Sequence, residues 1–559
     1  MANSSEPPET PPSKPSRPSR RRPKLPETDP GEKPFTPEIL DRTVIAMPLL
    51  DDFAEEKQSE EVASKSKKPF TPKVHPVIID LNLDYPGGRK EAKRVVQRWA
   101  QEAIGRTPGA QPRQGIDLTK SEMSNQYLFG ALERRVIEEL VRINAGEGMP
   151  DEGVEPRAIY HIWPDFEIRP LLTRSVATVK ADAARIAYSA QGEKIVWAVL
   201  DSGIQKGHPH FETHGNLVLD PPLRHRDFTV LRSETPPEGA SEEEKAAFVE
   251  KIAKESEEEA LRDGFGHGTH VAGIIAGEVP EDKAKELQIQ SVTRYRDEAG
   301  KVTYQKGVLK SISGIAPRCR LISFKVLDAA GKGRASNLIA AIAAIQEING
   351  HGRRIRIHGV NMSVGYDFEP EWFACGQSPL CVEVDQLVRS GVVVVVAAGN
   401  TGYGYSQTAF RGTVAAGMDL TINDPGNAEL AITVGSTHRS MPHVYGVSYF
   451  SSKGPTGDGR AKPDIVAPGE KIISCAAGQK RDELAAKQMD GDYREESGTS
   501  MAAPHVSGAI AAFLSIREEF IGRPEQVKQI FLSTATDLKR ERYFQGHGLV
   551  DLMRAIQSV

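Results

Sequence analysis

The stretch Gly498-Thr499-Ser500-Met501-Ala502-Ala503-Pro504-His505-Val506 sets one serine hydroxyl at the head of a helix of small residues. Ser500 is therefore a candidate nucleophile, although a Gly-Thr-Ser turn of this kind also serves as an ordinary helix cap. Two upstream segments carry the partners that a serine nucleophile needs. Lys194 to Leu200 reads as a buried strand, and it runs into Asp201-Ser202-Gly203, which places a carboxylate where open α/β sheets line their crevices. Gly266-His267-Gly268-Thr269-His270-Val271-Ala272-Gly273 offers His267 between glycines at the start of a second small-residue helix, with His270 as the weaker candidate base. Together the three types fit nucleophilic catalysis. His267 takes the Ser500 proton and returns it to the leaving group, and Asp201 holds the imidazole tautomer and favours the imidazolium. Read singly, Asp201 is equally a turn residue and His267 a helix-entry residue.

In this order the segments resemble the subtilisin-like serine peptidases, in which Asp, His and Ser follow one another along the chain. The resemblance covers roughly residues 175–559. Val392 to Asn400 looks like the family's core strand ending in its oxyanion-hole asparagine, so the resemblance implies that Asn400 and the Ser500 backbone N–H bind the developing oxyanion. It also implies a peptide cleft. Asn361-Met362-Ser363-Val364-Gly365, after the strand Arg356 to Val360, corresponds to one wall of the primary pocket, with Ala398 and Gly399 on the other. Gly331-Lys332-Gly333-Arg334-Ala335 corresponds to the edge strand that pairs with an extended substrate. Asp424-Pro425 stands where the family has a cis proline near the pocket floor. Without the resemblance these are Gly-containing loops, and Lys332 and Arg334 are solvated charges as readily as readers of acidic substrates. A silent peptide-binding module has no need of Asp201, His267, Asn400 and Ser500 together. An esterase or acyl transferase would share the nucleophile, but a strand-pairing cleft suits polypeptides better.

Strands ending at Leu200, Val326, Met362, Ala397 and Val434 alternate with helices such as Ser336 to Ile348 and Met501 to Arg517. That alternation predicts an α/β fold with a parallel sheet covered on both faces. Pro504 is tolerable because it falls near the first turn of its helix. The 559 residues suffice for a large core, and the net charge of −5 supplies no basic field for nucleic acid or an anionic membrane. Cys319, Cys375, Cys381 and Cys475 are too sparse for a disulfide framework and lack zinc-site spacing, although Cys375 and Cys381 are near enough in sequence to pair.

The remainder divides into three parts. Residues 1–70 are rich in Pro, Ser, Glu and Lys and read as a disordered tail whose Lys14 to Lys24 run is a solvated charge cluster. Neither a signal sequence nor a membrane-spanning stretch is legible, which favours a cytoplasmic protein, with export by another route as the alternative. Residues 75–172 read as a small α+β domain. Val77 to Leu81 is a strand; Ala92, Val95, Val96, Trp99, Ala100 and Ala103 share one helical face; Leu132, Val136, Leu140 and Ile143 share another; and Arg157 to Trp163 returns as a strand. Placed ahead of a subtilisin-like domain (residues 175–559), this ferredoxin-like order resembles the family's inhibitory propeptide. The resemblance implies an intramolecular inhibitor whose tail, Asp165 to Arg174, lies in the cleft and is cut near Leu172, Thr173 or Arg174. Within the larger domain, Ser241 to Arg262 reads as an exposed charged helix in reach of the cleft, and Gln288 to Val308 as a hairpin turning at Asp297 to Gly300. No cofactor is required by this chemistry, and no carboxylate spacing assigns a calcium site.

Overall fold

Val393 to Val396 leaves no polar face, so the strand it forms must be covered on both sides. In the computed structural model it lies inside an all-parallel sheet. The structure describes residues 44–65, 70–109, 114–146, 157–165, 167–170, 178–230, 235–236, 239–296, 302–367, 374–408 and 412–559.

Among the described residues the first elements are helix α1 (Met47–Lys65), strand β1 (Val74–Leu81) and helix α2 (Gly88–Arg106). They are followed by β2 (Gly115–Ile116), β3 (Tyr127–Glu133), α3 (Arg134–Asn144), β4 (Ile159–Pro164) and the short strand β5 (Glu167–Pro170). In the larger domain a short helix (Ala181–Tyr188) precedes β6 (Val196–Asp201), β7 (Arg226–Asp227), α4 (Glu242–Ala260) and α5 (His267–Ile275), then β8 (Gln290–Arg296), β9 (Val302–Val308), β10 (Arg320–Lys325) and β11 (Gly333–Arg334). The domain continues through α6 (Ala335–Ile348), β12 (Gly359–Met362), β13 (Val364–Gly365), α7 (Pro379–Arg389), β14 (Val393–Ala397), β15 (Ile432–His438) and β16 (Ile465–Glu470). Next come β17 (Ile472–Cys475), β18 (Tyr493–Glu496) and α8 (Thr499–Leu514), after which further short helices, among them Pro524–Thr534 and Leu552–Gln557, follow.

The main sheet has seven strands in the order β16-β15-β14-β12-β6-β10-β7, each pair parallel. Its two faces separate by residue parity. Trp197, Val199, Val393 and Val395 face α5 and α8, whereas Val196, Ala198, Val394 and Val396 face α6 and α7. The five strands and both helices expected from the sequence are present, and β7 and β16 are added at the edges. The departures are local: the strand expected from Lys194 begins at Val196, the one expected from Arg356 begins only at Gly359, the one expected to end at Val434 runs on to His438, and the helix expected from Met501 to Arg517 stops at Leu514.

The N-terminal domain carries an antiparallel sheet, β2-β3-β1-β4, with α2 and α3 on one face, which is the ferredoxin-like order. Its strands alternate too. Val77, Ile79 and Leu81 point into its own core, while Ile78, Tyr127 and Phe129 join the core of the larger domain against α6 and α7. Both faces of the sheet are therefore buried. All six residues expected on the first helix's inner face are buried. Leu132 is a correction: it lies in β3 and does not belong to the helical stripe, because β3 runs into α3 with no turn between Glu133 and Arg134.

The expected tail is also shortened. α1 carries Leu49, Phe53 and Glu56 one helical turn apart, and these are buried against the domain, with Glu56 Oε2 2.7 Å from His75 Nε2. Composition averaged over seventy residues hides such a short apolar stripe. Residues 1–43 lie outside the described residues. α4 begins with a reciprocal cap between Ser241 and Glu244 and lies along the sheet edge, where Ser256 and Ala260 are buried and Lys325 Nζ reaches Glu259. It covers the sheet edge, and not the cleft. The hairpin β8–β9 pairs from Gln290↔Val308 to Arg296↔Val302, and β8 joins β18 in a second sheet, β9-β8-β18-β17; the expected turn lies outside the described residues. All four cysteines are free and buried, so Cys375 and Cys381 form no disulfide.

Candidate functional site

Asp201 is the last residue of β6, at the carboxyl edge of the sheet, and His267 is the first residue of α5. Asp201 Oδ1 lies 2.7 Å from His267 Nδ1 and also accepts the Ser202 amide at 2.8 Å, while both side chains are buried. His270, one turn along, is turned away, with Nε2 3.2 Å from the Arg494 carbonyl; burial lowers its pKa to about 3, so it stays neutral.

Asp263 is a functional residue that the sequence reading passed over. Its Oδ1 accepts Ser202 Oγ at 2.8 Å and Gly266 N at 2.7 Å, and its Oδ2 accepts Thr269 N at 2.8 Å and Thr269 Oγ1 at 2.6 Å. It thus joins the residue after Asp201 to the first turn of the His267 helix and satisfies amides that an α-helix leaves without partners. Burial pushes its carboxyl pKa up, against the pull of these bonds. An aspartate four positions before His267 was the available signal.

Ser500 stands in the first turn of α8. Its hydroxyl does not cap the helix; it donates to the Ser363 carbonyl at 3.1 Å. The first helical residue is instead tied to Asn400, whose Oδ1 accepts Thr499 N at 2.8 Å and Thr499 Oγ1 at 3.2 Å. That orientation leaves Asn400 Nδ2 without a hydrogen bond among the described residues. The Ser500 amide lies in the first helical turn, where no intrahelical carbonyl is available to it.

The proposed cleft is filled by the chain's own N-terminal segment. β5 lies between two strands: Ile168 pairs with Gly333 and Glu167 with Arg334 on one side, and Arg169 pairs with Gly365 and Pro170 with Val364 on the other, all antiparallel. Gly333, Val364 and Gly365 thus stand in the ladder, while Gly331 and Lys332 belong to the preceding turn, in which Lys332 N donates to Asp328 Oδ1 at 2.9 Å. Ser363 meets Ser500 directly. The expected cut near Leu172, Thr173 or Arg174 lies outside the described residues.

Ala398 and Gly399 continue from β14, and Asn423 N donates to the Ala398 carbonyl at 3.0 Å. Asn423 is the second residue missed. Together with Asp424, whose bond to Pro425 is cis, it spans the floor between the two walls. A Cβ on Gly399, at φ +113°, would lie 2.1 Å from Asn423 Oδ1, so the floor rises close to the backbone there and only glycine fits. Asn423 Nδ2 donates to Asp367 Oδ1 at 2.8 Å, which makes this floor polar. Among the described residues no group of three or more His, Cys, Asp or Glu side chains gathers as a metal site, and no helix is long and apolar enough to cross a membrane.

Residues 192–548 match the model of the Subtilase family. Pyrolysin of Pyrococcus furiosus is 30% identical over 324 residues, which make up 52% of this chain and 21% of pyrolysin. Serine protease AprX of Bacillus subtilis is 28% identical over 390 residues, and subtilisin E of the same species is 29% identical over 382; each match covers 68% of this chain and 70% of the relative. Among solved structures, fervidolysin from Fervidobacterium pennivorans, a keratinolytic enzyme related to subtilisin, superposes with a TM-score of 0.52 at 18% identity, over 87% of this chain and 61% of its own. That last likeness is one of fold alone. With the family match spanning most of the larger domain, the chain belongs to the subtilase family and is a subtilisin-type serine endopeptidase.

Proposed function

We propose that the enzyme cleaves polypeptides through an acyl-enzyme on Ser500. His267 removes the Ser500 proton as the hydroxyl attacks the scissile carbonyl and then delivers it to the leaving amine; Asp201 holds the imidazole and stabilises its cation. Asn400 Nδ2 and the Ser500 N–H take the oxyanion. Water repeats the sequence to release the acyl group. The observation that carries this reading is the 2.7 Å contact between Asp201 and His267, together with a Ser500 hydroxyl that donates to the Ser363 carbonyl and is not used as a helix cap. Ser363, Val364, Gly365, Gly333, Ala398 and Gly399 bind substrate, with Gly331 and Lys332 shaping the turn behind Gly333, and the polar floor at Asn423 favours small or polar side chains over large apolar ones.

The N-terminal domain acts as an intramolecular inhibitor. Its docking is supported by Asp165, which accepts the Ser336 amide at 2.7 Å and so caps α6 of the larger domain, a contact worth about 1 kcal/mol. Because β5 occupies the strand-pairing cleft, the activity emerges after cleavage close to residues 172–174 and release of the domain. Labelling with a serine-directed phosphonate tests the nucleophile: in processed enzyme the label is expected on Ser500, and folded, processed protein that takes none sinks the reading. A peptide library then distinguishes an endopeptidase from an esterase and reads the pocket preference.

A further inference from the structure

α8 is built from Ala, Gly and large apolar residues on its buried faces, yet Ser507 lies among them fully buried. A buried hydroxyl is costly unless it is bonded, and alanine would suit the helix better. Ser507 Oγ donates to Asn361 Oδ1 at 2.9 Å. Asn361 Nδ2 in turn donates to Ser363 Oγ at 2.9 Å, and Ser363 Oγ donates to the Ser500 carbonyl at 2.6 Å. The Ser500 hydroxyl closes the set on the Ser363 carbonyl at 3.1 Å. All four side chains are excluded from solvent.

Ser500 and Ser507 are two turns apart on one side of α8, and Asn361 and Ser363 bracket the junction of β12 and β13. The network therefore fastens the helix that carries the nucleophile to the strand that receives the peptide. Those two elements set the distance between the hydroxyl and a bound carbonyl, and a displacement of about 1 Å in such a distance costs roughly a hundredfold in rate. Asn361 is well suited to this because its planar amide accepts from one element and donates to the other, so neither bond can be exchanged without breaking the second.

We infer that Asn361 and Ser507 are positioning residues that hold the Ser500 helix against the substrate-pairing strand and thereby set the rate of acylation without touching substrate. The inference rests on Ser500 being the nucleophile. The test compares processed wild type with Ser507→Ala, Asn361→Leu and the double variant, reading kcat, KM, the rate of phosphonate labelling and the melting temperature. Each single variant is expected to lose about tenfold or more in kcat and in labelling rate, with KM within about twofold, and the double variant to be no slower than the slower single one. Variants that melt earlier but keep wild-type kcat and labelling rate overturn the inference, and if Asn361→Leu does not fold, Ser507→Ala decides alone. Wild type that takes no label at Ser500 removes the nucleophile and the inference together, whereas labelled wild type with unchanged variants removes only the inference.

Discussion

Pro170 stands opposite Val364 in an antiparallel ladder, with Arg169 opposite Gly365. Immediately before β13 stands Ser363, whose carbonyl accepts the Ser500 hydroxyl at 3.1 Å. An extended chain advances about 3.3 Å per residue, so one further residue past Pro170 suffices to reach the nucleophile. Continued in this register, the chain leads us to expect self-cleavage at the early end of the interval before Ser175. Intact-mass analysis and N-terminal sequencing of the wild type should give a product that begins at residue 172 or within about two residues of it, and Ser500→Ala should remain at full length. Full-length wild type that is nonetheless active would remove self-processing from the account.

Gly266, immediately before His267, adopts φ +94°, and a Cβ there would lie 1.9 Å from the Ala477 carbonyl oxygen. Neither atom belongs to a flexible side chain, so the turn that presents His267 must move. Gly266→Ala is expected to cost about 2–4 kcal/mol of stability and to remove most activity. Gly459 also has positive φ, +87°, but nothing within 4 Å of its would-be Cβ, so Gly459→Ala should cost about 1 kcal/mol and leave turnover unchanged. Urea unfolding of both variants separates the steric clash from backbone strain, and equal costs would refute the clash.

Asp201, His267, Asn400 and Ser500 were legible as candidates because each sits within two residues of a glycine at the start of a helix or the end of a buried strand, where local sequence and chemistry coincide. Asp263 was not, since two of its bonds go to Ser202, 61 positions earlier in the chain, and to a helix turn that only the fold assembles. Ser507 and Asn361 are 146 positions apart, and neither bears a mark of its partner. β3 escaped for another reason. One of its faces fills the small domain's core and the other meets α6 and α7, so Tyr127 to Leu132 shows an unbroken apolar run without the alternation that marks a half-buried strand.

Asn400 is held by Thr499 through its carbonyl oxygen, which leaves the amide nitrogen for the oxyanion in the proposed mechanism. Asn400→Leu keeps the volume and removes the donor. It should lower kcat by about a hundred- to a thousandfold with little change in KM, the scale known for the equivalent donor of subtilisin and carried over here. Asn400→Asp should be no better, because it brings negative charge to the oxyanion site. Steady-state kinetics on a peptide anilide decides: a rise in KM at constant kcat would mean that Asn400 binds substrate and does not stabilise the transition state.

Asp80 points away from its own domain because β1 alternates, and it stands opposite Tyr127 in the register with β3. Both face α7 of the larger domain, where Glu383 is buried beside them. The polar company is sparse: Gln126 Nε2 donates to Asp80 Oδ1 at 3.1 Å, Gln386 Nε2 approaches Glu383 Oε1 at 3.5 Å, and Arg89 is the facing cation. Burial raises the pKa of Asp80 to about 6, and burial together with the Asp80 charge raises that of Glu383 to about 7. Once the domains separate, both carboxyls meet water and return to the ordinary carboxylate range, so the docked form binds more protons than the separated one. Docking is therefore fully favoured in acid and weakens as pH rises through about 6 and then about 7, when two like charges must be held without solvent. In full-length Ser500→Ala, amide exchange of β13, corrected for its intrinsic pH dependence, should rise at least tenfold between about pH 5 and pH 8, since one pKa unit is a factor of ten. Asp80→Asn with Glu383→Gln should flatten that profile at its acid level. A profile equally steep in the double variant would assign the pH dependence to other groups.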